Sequence, residues 1–301
     1  MRRIIVLLAS FFIIPFGLLI IQLFPTPTAI QSVEKTIPPK QRVILISMDG
    51  ARADYVRDFN LPNIHAIARK GAFTYQAQTI LPSRTLPGHA SMLSGYSVAK
   101  HGISSNEWKK GLHLKTDTVF DHLIRAGKTA KLMAAKEKFE TFRKPGIQFS
   151  VEIIDDISRS MVDEVLKTLS TENYDFLFVH FKAPDRAGHD FGAQSQNYKK
   201  ALTDIDTSIG KIIDHLKKLK LLETTTIILT SDHGMKGNDH GGKTPEEMTI
   251  PWIIMGPNIK NDYHIKSEVS IMDSTATVLS QFGIPLPSDM DGKIPLEIIS
   301  K

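Results

Sequence analysis

"RVILISMDG", residues 42–50, is the stretch on which the fold turns. Its first seven residues are almost continuously apolar and rich in β-branched side chains, the pattern of a strand buried on both faces. An aspartate and a glycine follow at once. Three more runs carry the same signature: "DFLFVHF" at 175–181, "TTIILT" at 225–230 and "IPWIIM" at 250–255, with "TAKLMAA" at 129–135 a weaker version. Helical patterns lie between them. In 196–222, Leu202, Ile205, Ile209, Ile212, Leu216 and Leu219 recur every three or four residues, a stripe that reads as core. A second helix is expected over 270–282, ended by the breaker Gly283-Ile284-Pro285. Strands alternating with helices predict an α/β fold, a mainly parallel central sheet with helices on both faces.

The chain has 301 residues and is 42% hydrophobic, enough for a substantial core. Its net charge of +5 comes from Lys and Arg spread along the chain, so no nucleic-acid binding is expected. The absence of cysteine removes disulfides, thiolate metal sites and cysteine nucleophiles together. Arg2 and Arg3 precede an uncharged apolar run over 4–24. About twenty apolar residues span a bilayer as a helix, and the two arginines orient the N-terminus to the cytoplasm. Residues 1–25 therefore read as a transmembrane signal-anchor, which binds the protein to the membrane. The alternative is a cleaved signal peptide, with "TPTA" at 26–29 as its cleavage site and a secreted product. Both place the domain expected over 41–301 outside the cytoplasm, with the Pro- and Thr-rich 26–40 as linker.

In sheets of this kind ligands bind beyond the carboxyl ends of the strands. Asp49 follows the first strand directly, Asp185 and His189 follow 175–181, and Asp232 and His233 follow 225–230. "TSDHGMKGNDHGG", residues 230–242, adds His240. Carboxylates and imidazoles without sulfur suit zinc, with manganese, iron or magnesium as competitors. In "DRAGH", Asp185 and His189 stand at i and i+4, on one face of a helix. With His240 they make a three-ligand site with an open position, and Asp49, Asp232 and His233 could make a second. Two metals about 4 Å apart can clamp the attacking and leaving oxygens of a phosphoryl group. "LPSRTLPGHASMLSG", residues 81–95, offers Thr85 at a helix start, where backbone N–H groups favour an anion and a metal would lower the hydroxyl pKa. His89, His101 and His180 read as structural, and Asp190 and Asp239 as loop or capping residues. Arg84 reads as either an anion contact or a solvated charge.

"ISMDG", "PSRTLPGHASMLSG", "KHGISSN", "DRAGHDFG", "SDHGM" and "NDHGG" follow one another in the order and spacing of the alkaline phosphatase superfamily. The chain most resembles the nucleotide pyrophosphatase/phosphodiesterase branch, from about Val43 onward. The resemblance implies an alkaline phosphatase-like fold and a hydrolase of small phosphate esters, acting on phosphodiester or nucleotide pyrophosphate bonds at a two-zinc site. Asp185, His189 and His240 would hold one ion. Asp49, Asp232 and His233 would hold the other, with Thr85 as nucleophile bridging to it and forming a phospho-threonine. The sequence departs from the branch in three places. Gly88 stands where many members carry an asparagine, which the resemblance assigns to a phosphate oxygen; Asn106 is the candidate substitute. The short step from His233 to His240 is similar to phosphoethanolamine transferases. "AAKEKF" at 134–139 resembles phosphonoacetate hydrolases, in which lysines bind substrate, making Lys136 and Lys138 candidates against a reading as exposed helix lysines. A transferase, a phosphonoacetate hydrolase-like enzyme and a phosphomonoesterase are the alternatives on this scaffold. A sulfatase is excluded: Ile80 occupies the position, two residues before Pro82-Ser83-Arg84, that must be cysteine or serine.

Overall fold

The computed structural model describes residues 40–144, 146, 148–154 and 160–300. The expected anchor over 1–25 and nearly all of the linker lie outside them. Among the described residues, no helix is long and apolar enough to cross a membrane.

Among the described residues, eight strands form one sheet: β1 (Arg42–Met48), β2 (Ala72–Gln78), β3 (Ala130–Ala134), β4 (Ser150–Ile153), β5 (Phe176–Phe181), β6 (Thr225–Thr230), β7 (Thr249–Met255) and β8 (Tyr263–His264). Their order is β4-β3-β5-β1-β6-β7-β2-β8. The pairings from β4 through to β6 are parallel, and β7 alone runs against both its neighbours. The described helices are α1 (Ala53–Asp58), α2 (Pro62–Arg69), α3 (Thr85–Ser94), α4 (Val98–His101), α5 (Val119–Arg125), α6 (Met161–Thr171), α7 (Ala183–Phe191), α8 (Gln196–Lys218), α9 (Pro245–Met248) and α10 (Asp273–Gln281).

Side chains alternate across a strand, so β1 feeds two cores. Val43 and Leu45 join Leu86, Met92, Phe120, Trp252 and Leu279 under α3, α5 and α10. Ile44, Ile46 and Met48 join Ile64, Val165, Leu202, Ile205 and Ile209 under α2, α6 and α8. This accounts for the unbroken apolar run of β1: neither face meets water.

Two helix ends differ from the sequence reading. α8 stops at Lys218, four residues short of 222, because Lys220 takes a left-handed turn with φ 58°. α10 begins at Asp273, three residues after 270, since Asp273 receives the Ser270 N–H at 2.9 Å and closes a turn ahead of the helix. Residues 139–156, which carry no clear periodicity, contain a 3-10 turn (Glu137–Phe142) that overlaps their start, and the short strand β4.

Candidate active site

The strands β5, β1 and β6 are neighbours, so their carboxyl ends deliver Asp185, Asp49 and Asp232 side by side. Short clamps fix the exits. The Asp185 N–H donates to the Asp49 carbonyl at 3.0 Å. The Gly50 N–H donates to Asp232 Oδ1 at 3.1 Å, and the Tyr198 hydroxyl donates to the Gly50 carbonyl at 2.7 Å. Gly50 is required there: its φ is +70°, and a Cβ would come within 3.0 Å of the Asp185 Cα. Ser231 donates to the Met48 carbonyl at 2.7 Å, tying the end of β1 to the loop after β6. The α7 helix presents Asp185 and His189 one turn apart.

Two trios result: Asp185, His189 and His240, and Asp49, Asp232 and His233, each with one ligand atom per residue within 4.8 Å of the others. The imidazoles are oriented alike. His233 Nδ1 lies 2.7 Å from the Gly234 carbonyl, His189 Nδ1 2.8 Å from that of Asn238, and His240 Nδ1 2.9 Å from that of Ser83. A carbonyl only accepts, so each Nδ1 carries a proton and it is Nε2 that turns inward, as a lone pair in the neutral ring. His189 and His240 Nε2 each face Asp185 Oδ1 at 3.3 Å. His233 Nε2 faces Asp49 Oδ1 at 3.4 Å and Asp232 Oδ2 at 3.3 Å. Those three carboxylate oxygens are buried and accept no hydrogen bond. Lone pairs aimed at anionic oxygens call for a cation between them, so the donor set fits two divalent ions.

The electrostatics are strained in the same sense. Burial and the charge of Asp185 push the Asp49 carboxyl up, but Lys136 and a hydrogen bond from His180 outweigh them and hold it well below the usual carboxylate range. Burial likewise pushes Asp185 up, and the facing His189 and His240 rings together with Lys136 hold it far down. At Asp232 burial and the Asp49 charge outweigh Lys136 and the Gly50 N–H and raise the carboxyl. Contact with Asp185 raises His189, so protons and cations compete for one lone pair. Two histidines that read as structural form the wall behind the site. His180 Nδ1 accepts the Ala135 N–H at 3.2 Å, leaving Nε2–H to donate to Asp49 Oδ2 at 2.9 Å. His89 Nδ1–H donates to the Thr85 carbonyl at 2.8 Å, and its Nε2 accepts from the Ser47 hydroxyl at 2.8 Å. The signal for His180 is legible in hindsight: a lone ionisable residue in the otherwise apolar FLFVHF of β5.

Thr85 opens α3, its Oγ1 3.5 Å from His233 Nε2. Asn106 comes from the loop after α4, and its Oδ1 accepts the Leu86 N–H at 2.8 Å beside that hydroxyl. Arg84 is exposed, its guanidinium against Gly241 at the rim. The Cβ direction at Gly88 points into the main chain of Asp232, 2.8 Å from its carbonyl oxygen. The departure from the family pattern at Gly88 therefore sits behind the ligand loop, and its meaning is close packing. Lys136 and Lys138 are not exposed helix lysines. They flank the start of the 3-10 turn, with Lys136 Nζ 2.7 Å from Asp185 Oδ2. Asp239 accepts the His240 N–H at 2.8 Å and Asp190 pairs with Arg186 at 2.7 Å, so neither joins a trio. The sequence gives no hint of Glu247, whose carboxylate accepts the Gly242 N–H at 2.7 Å and anchors the His240 loop.

An inactive variant of murine ectonucleotide pyrophosphatase / phosphodiesterase 5, solved in complex with AMP, shares this fold. Its TM-score is 0.74 at 17% identity, over 86% of this chain and 100% of that one. The architecture is thus the alkaline phosphatase-like α/β class. The model of the type I phosphodiesterase / nucleotide pyrophosphatase family matches residues 43–249, and the chain belongs to that family. It is 26% identical over 227 residues to the bis(5'-adenosyl)-triphosphatase ENPP4 of Bos taurus, covering 66% of this chain and 48% of the relative. It is 28% identical over 226 residues to ectonucleotide pyrophosphatase/phosphodiesterase family member 5 of Homo sapiens, covering 66% and 46%. The chain spans about half the length of these curated relatives.

Proposed function

We propose that this chain is an extracytoplasmic, metal-dependent hydrolase of phosphodiester or nucleotide pyrophosphate bonds that works through a phospho-threonine at Thr85. The observation that carries the reading is the convergence of three inward Nε2 lone pairs and three unpartnered carboxylate oxygens beside one helix-terminal hydroxyl. The names of the relatives support nucleotide-like substrates. Residues 1–25 would anchor the protein, 26–40 would act as linker, and 41–301 would form the catalytic domain.

Asp185, His189 and His240 would hold one divalent ion, and Asp49, Asp232 and His233 the other, with zinc favoured by the donor set. When bound, the ions supply Lewis-acid charge that lowers the hydroxyl pKa and stabilises the leaving oxygen. Thr85 Oγ1 gives up its proton to solvent and attacks phosphorus, the bond to the leaving oxygen breaks, that oxygen takes up a proton from solvent, and a phospho-threonine remains. Water then attacks that phosphorus in line, the bond from phosphorus to Oγ1 breaks, and the proton the water gives up balances the one Thr85 takes back as phosphate leaves. Asn106, fixed through Oδ1 on the Leu86 N–H, is positioned to offer its Nδ2 donors to a phosphoryl oxygen. Arg84 at the rim is suited to an outlying anionic group of the substrate. The 40% exposure of the His189 side chain leaves that edge open to the leaving group.

Hydrolysis of bis(p-nitrophenyl) phosphate and p-nitrophenyl phosphate, with and without chelator, tests the proposal. The diester should be the better substrate, chelation should abolish turnover, and zinc should restore it. Thr85→Ala should lose at least about a thousandfold in kcat, the order expected when a nucleophile is removed, while keeping its bound metal. Equal rates for Thr85→Ala and wild type would refute the mechanism.

A further inference from the structure

Lys136 belongs to neither trio, yet its ammonium group joins them. Nζ donates to Asp185 Oδ2 at 2.7 Å and to Asp49 Oδ2, and lies 3.5 Å from Thr85 Oγ1. The oxygens it takes are the ones turned away from the imidazoles of the two trios, and His180 shares the one on Asp49. In both aspartates the other oxygen, Oδ1, is left without a donor and aimed at the Nε2 atoms. A carboxylate held through one oxygen cannot rotate, so the direction of its free oxygen is set before any ion arrives. The base of Lys136 is itself held. The Ala135 N–H donates to His180 Nδ1 at 3.2 Å, and Phe139, fully buried, packs on the His180 and His89 rings at 4.4 and 4.7 Å between centroids.

We infer that Lys136 is a positioning residue, a charged strut that sets the ion-facing oxygens of Asp49 and Asp185 and couples the two trios across the nucleophile. The inference rests on the two-ion reading of the site proposed above. It assigns Lys136 a place behind the carboxylates, in place of the substrate contact expected from its sequence. It also implies a centre that is net positive when loaded with two ions, as suits an anionic phosphoryl group. Partners that orient metal ligands in this way typically control affinity by about ten- to a hundredfold.

The test compares wild type, Lys136→Met and Lys136→Arg by zinc titration against a chromophoric chelator and by the visible spectrum of the cobalt-loaded proteins. Lys136→Met should weaken both sites by about tenfold or more and alter the cobalt bands, and Lys136→Arg should recover part of each change. Unchanged affinity, or a loss confined to one site, overturns the inference. Tighter binding also overturns it, since Lys136 would then be a competing counter-ion that the metals displace. If wild type itself binds neither zinc nor cobalt, the two-ion reading fails and this inference falls with it. A measurement on wild type alone covers the case of a misfolded variant. The Lys136 amine should resist acylation, read by peptide mass spectrometry, in both the metal-free and the zinc-loaded protein. Labelling that rises on zinc loading would mean that the strut is expelled, and would overturn the assignment.

Discussion

Replacing Gly88 with alanine places a methyl group where α3 meets the loop after β6. Two effects oppose each other. Within a helix, alanine is favoured over glycine by about 0.5–1 kcal/mol. Against this, the new Cβ would lie 2.8 Å from the Asp232 carbonyl oxygen, closer than carbon tolerates, and a tight 3.2 Å from the Asp232 Cβ. The neighbour has little room to retreat: the Thr79 hydroxyl donates to that carbonyl, and the Gly50 N–H holds the Asp232 side chain at 3.1 Å. Overpacking of this kind costs about 1–3 kcal/mol, so the steric effect wins and the net loss is roughly 1–2 kcal/mol. At about 2–4 °C per kcal/mol for a domain of this size, Tm should fall by about 2–8 °C. The strain also moves Thr85 relative to Asp232, and small misplacements at a reacting centre are costly, so kcat should drop by about tenfold. Thermal denaturation of the metal-free and zinc-loaded proteins, together with turnover of bis(p-nitrophenyl) phosphate, measures both. A Tm equal to or above that of wild type with unchanged kcat would refute the packing argument.

Two further outcomes are expected. His101 is buried and held at about 4 by burial, against an ordinary 6.5, so the unfolded chain binds its proton first as the medium acidifies. Its contribution to stability is whole above pH 6.5 and lost progressively between 6.5 and 4; urea midpoints across that range should fall less steeply for His101→Gln, and parallel curves would contradict this. Glu247→Gln keeps the shape but weakens the bonds to the Gly242 N–H at 2.7 Å and the Thr244 hydroxyl at 2.7 Å. Zinc titration should then show about tenfold weaker binding at the trio containing His240 and near-normal binding at the other, and equal losses at both would point to general loosening.

The apolar runs locate β1, β5, β6 and β7 to within a residue, because strands buried on both faces are built mostly from apolar and β-branched side chains. The strands that escape notice lie toward the edges. β2 reads AFTYQAQ, with polar residues interleaved, β4 is half-buried, and β8 is two residues long. The direction of β7 is equally invisible, since "IPWIIM" reads the same either way. It is set by the path of the connection over 231–248, which stays at the carboxyl end of β6, holds only the four-residue α9 and enters β7 from that same end. A similar division runs through the site. Asp49, Asp185 and Asp232 announce themselves by following strands, and Asp185 and His189 by their helical spacing.

Residue type and periodicity, both local properties, were enough to define a mainly parallel sheet and to collect the candidate ligands at its carboxyl edge. Orientation required contacts between distant segments. Only the folded chain puts the carbonyls of Ser83, Gly234 and Asn238 on the Nδ1 atoms of His240, His233 and His189. Only the folded chain brings Lys136 from the end of β3 between two aspartates that follow other strands. A histidine's tautomer and a carboxylate's free oxygen depend on which groups stand behind them, and here those groups come from separate strands and loops.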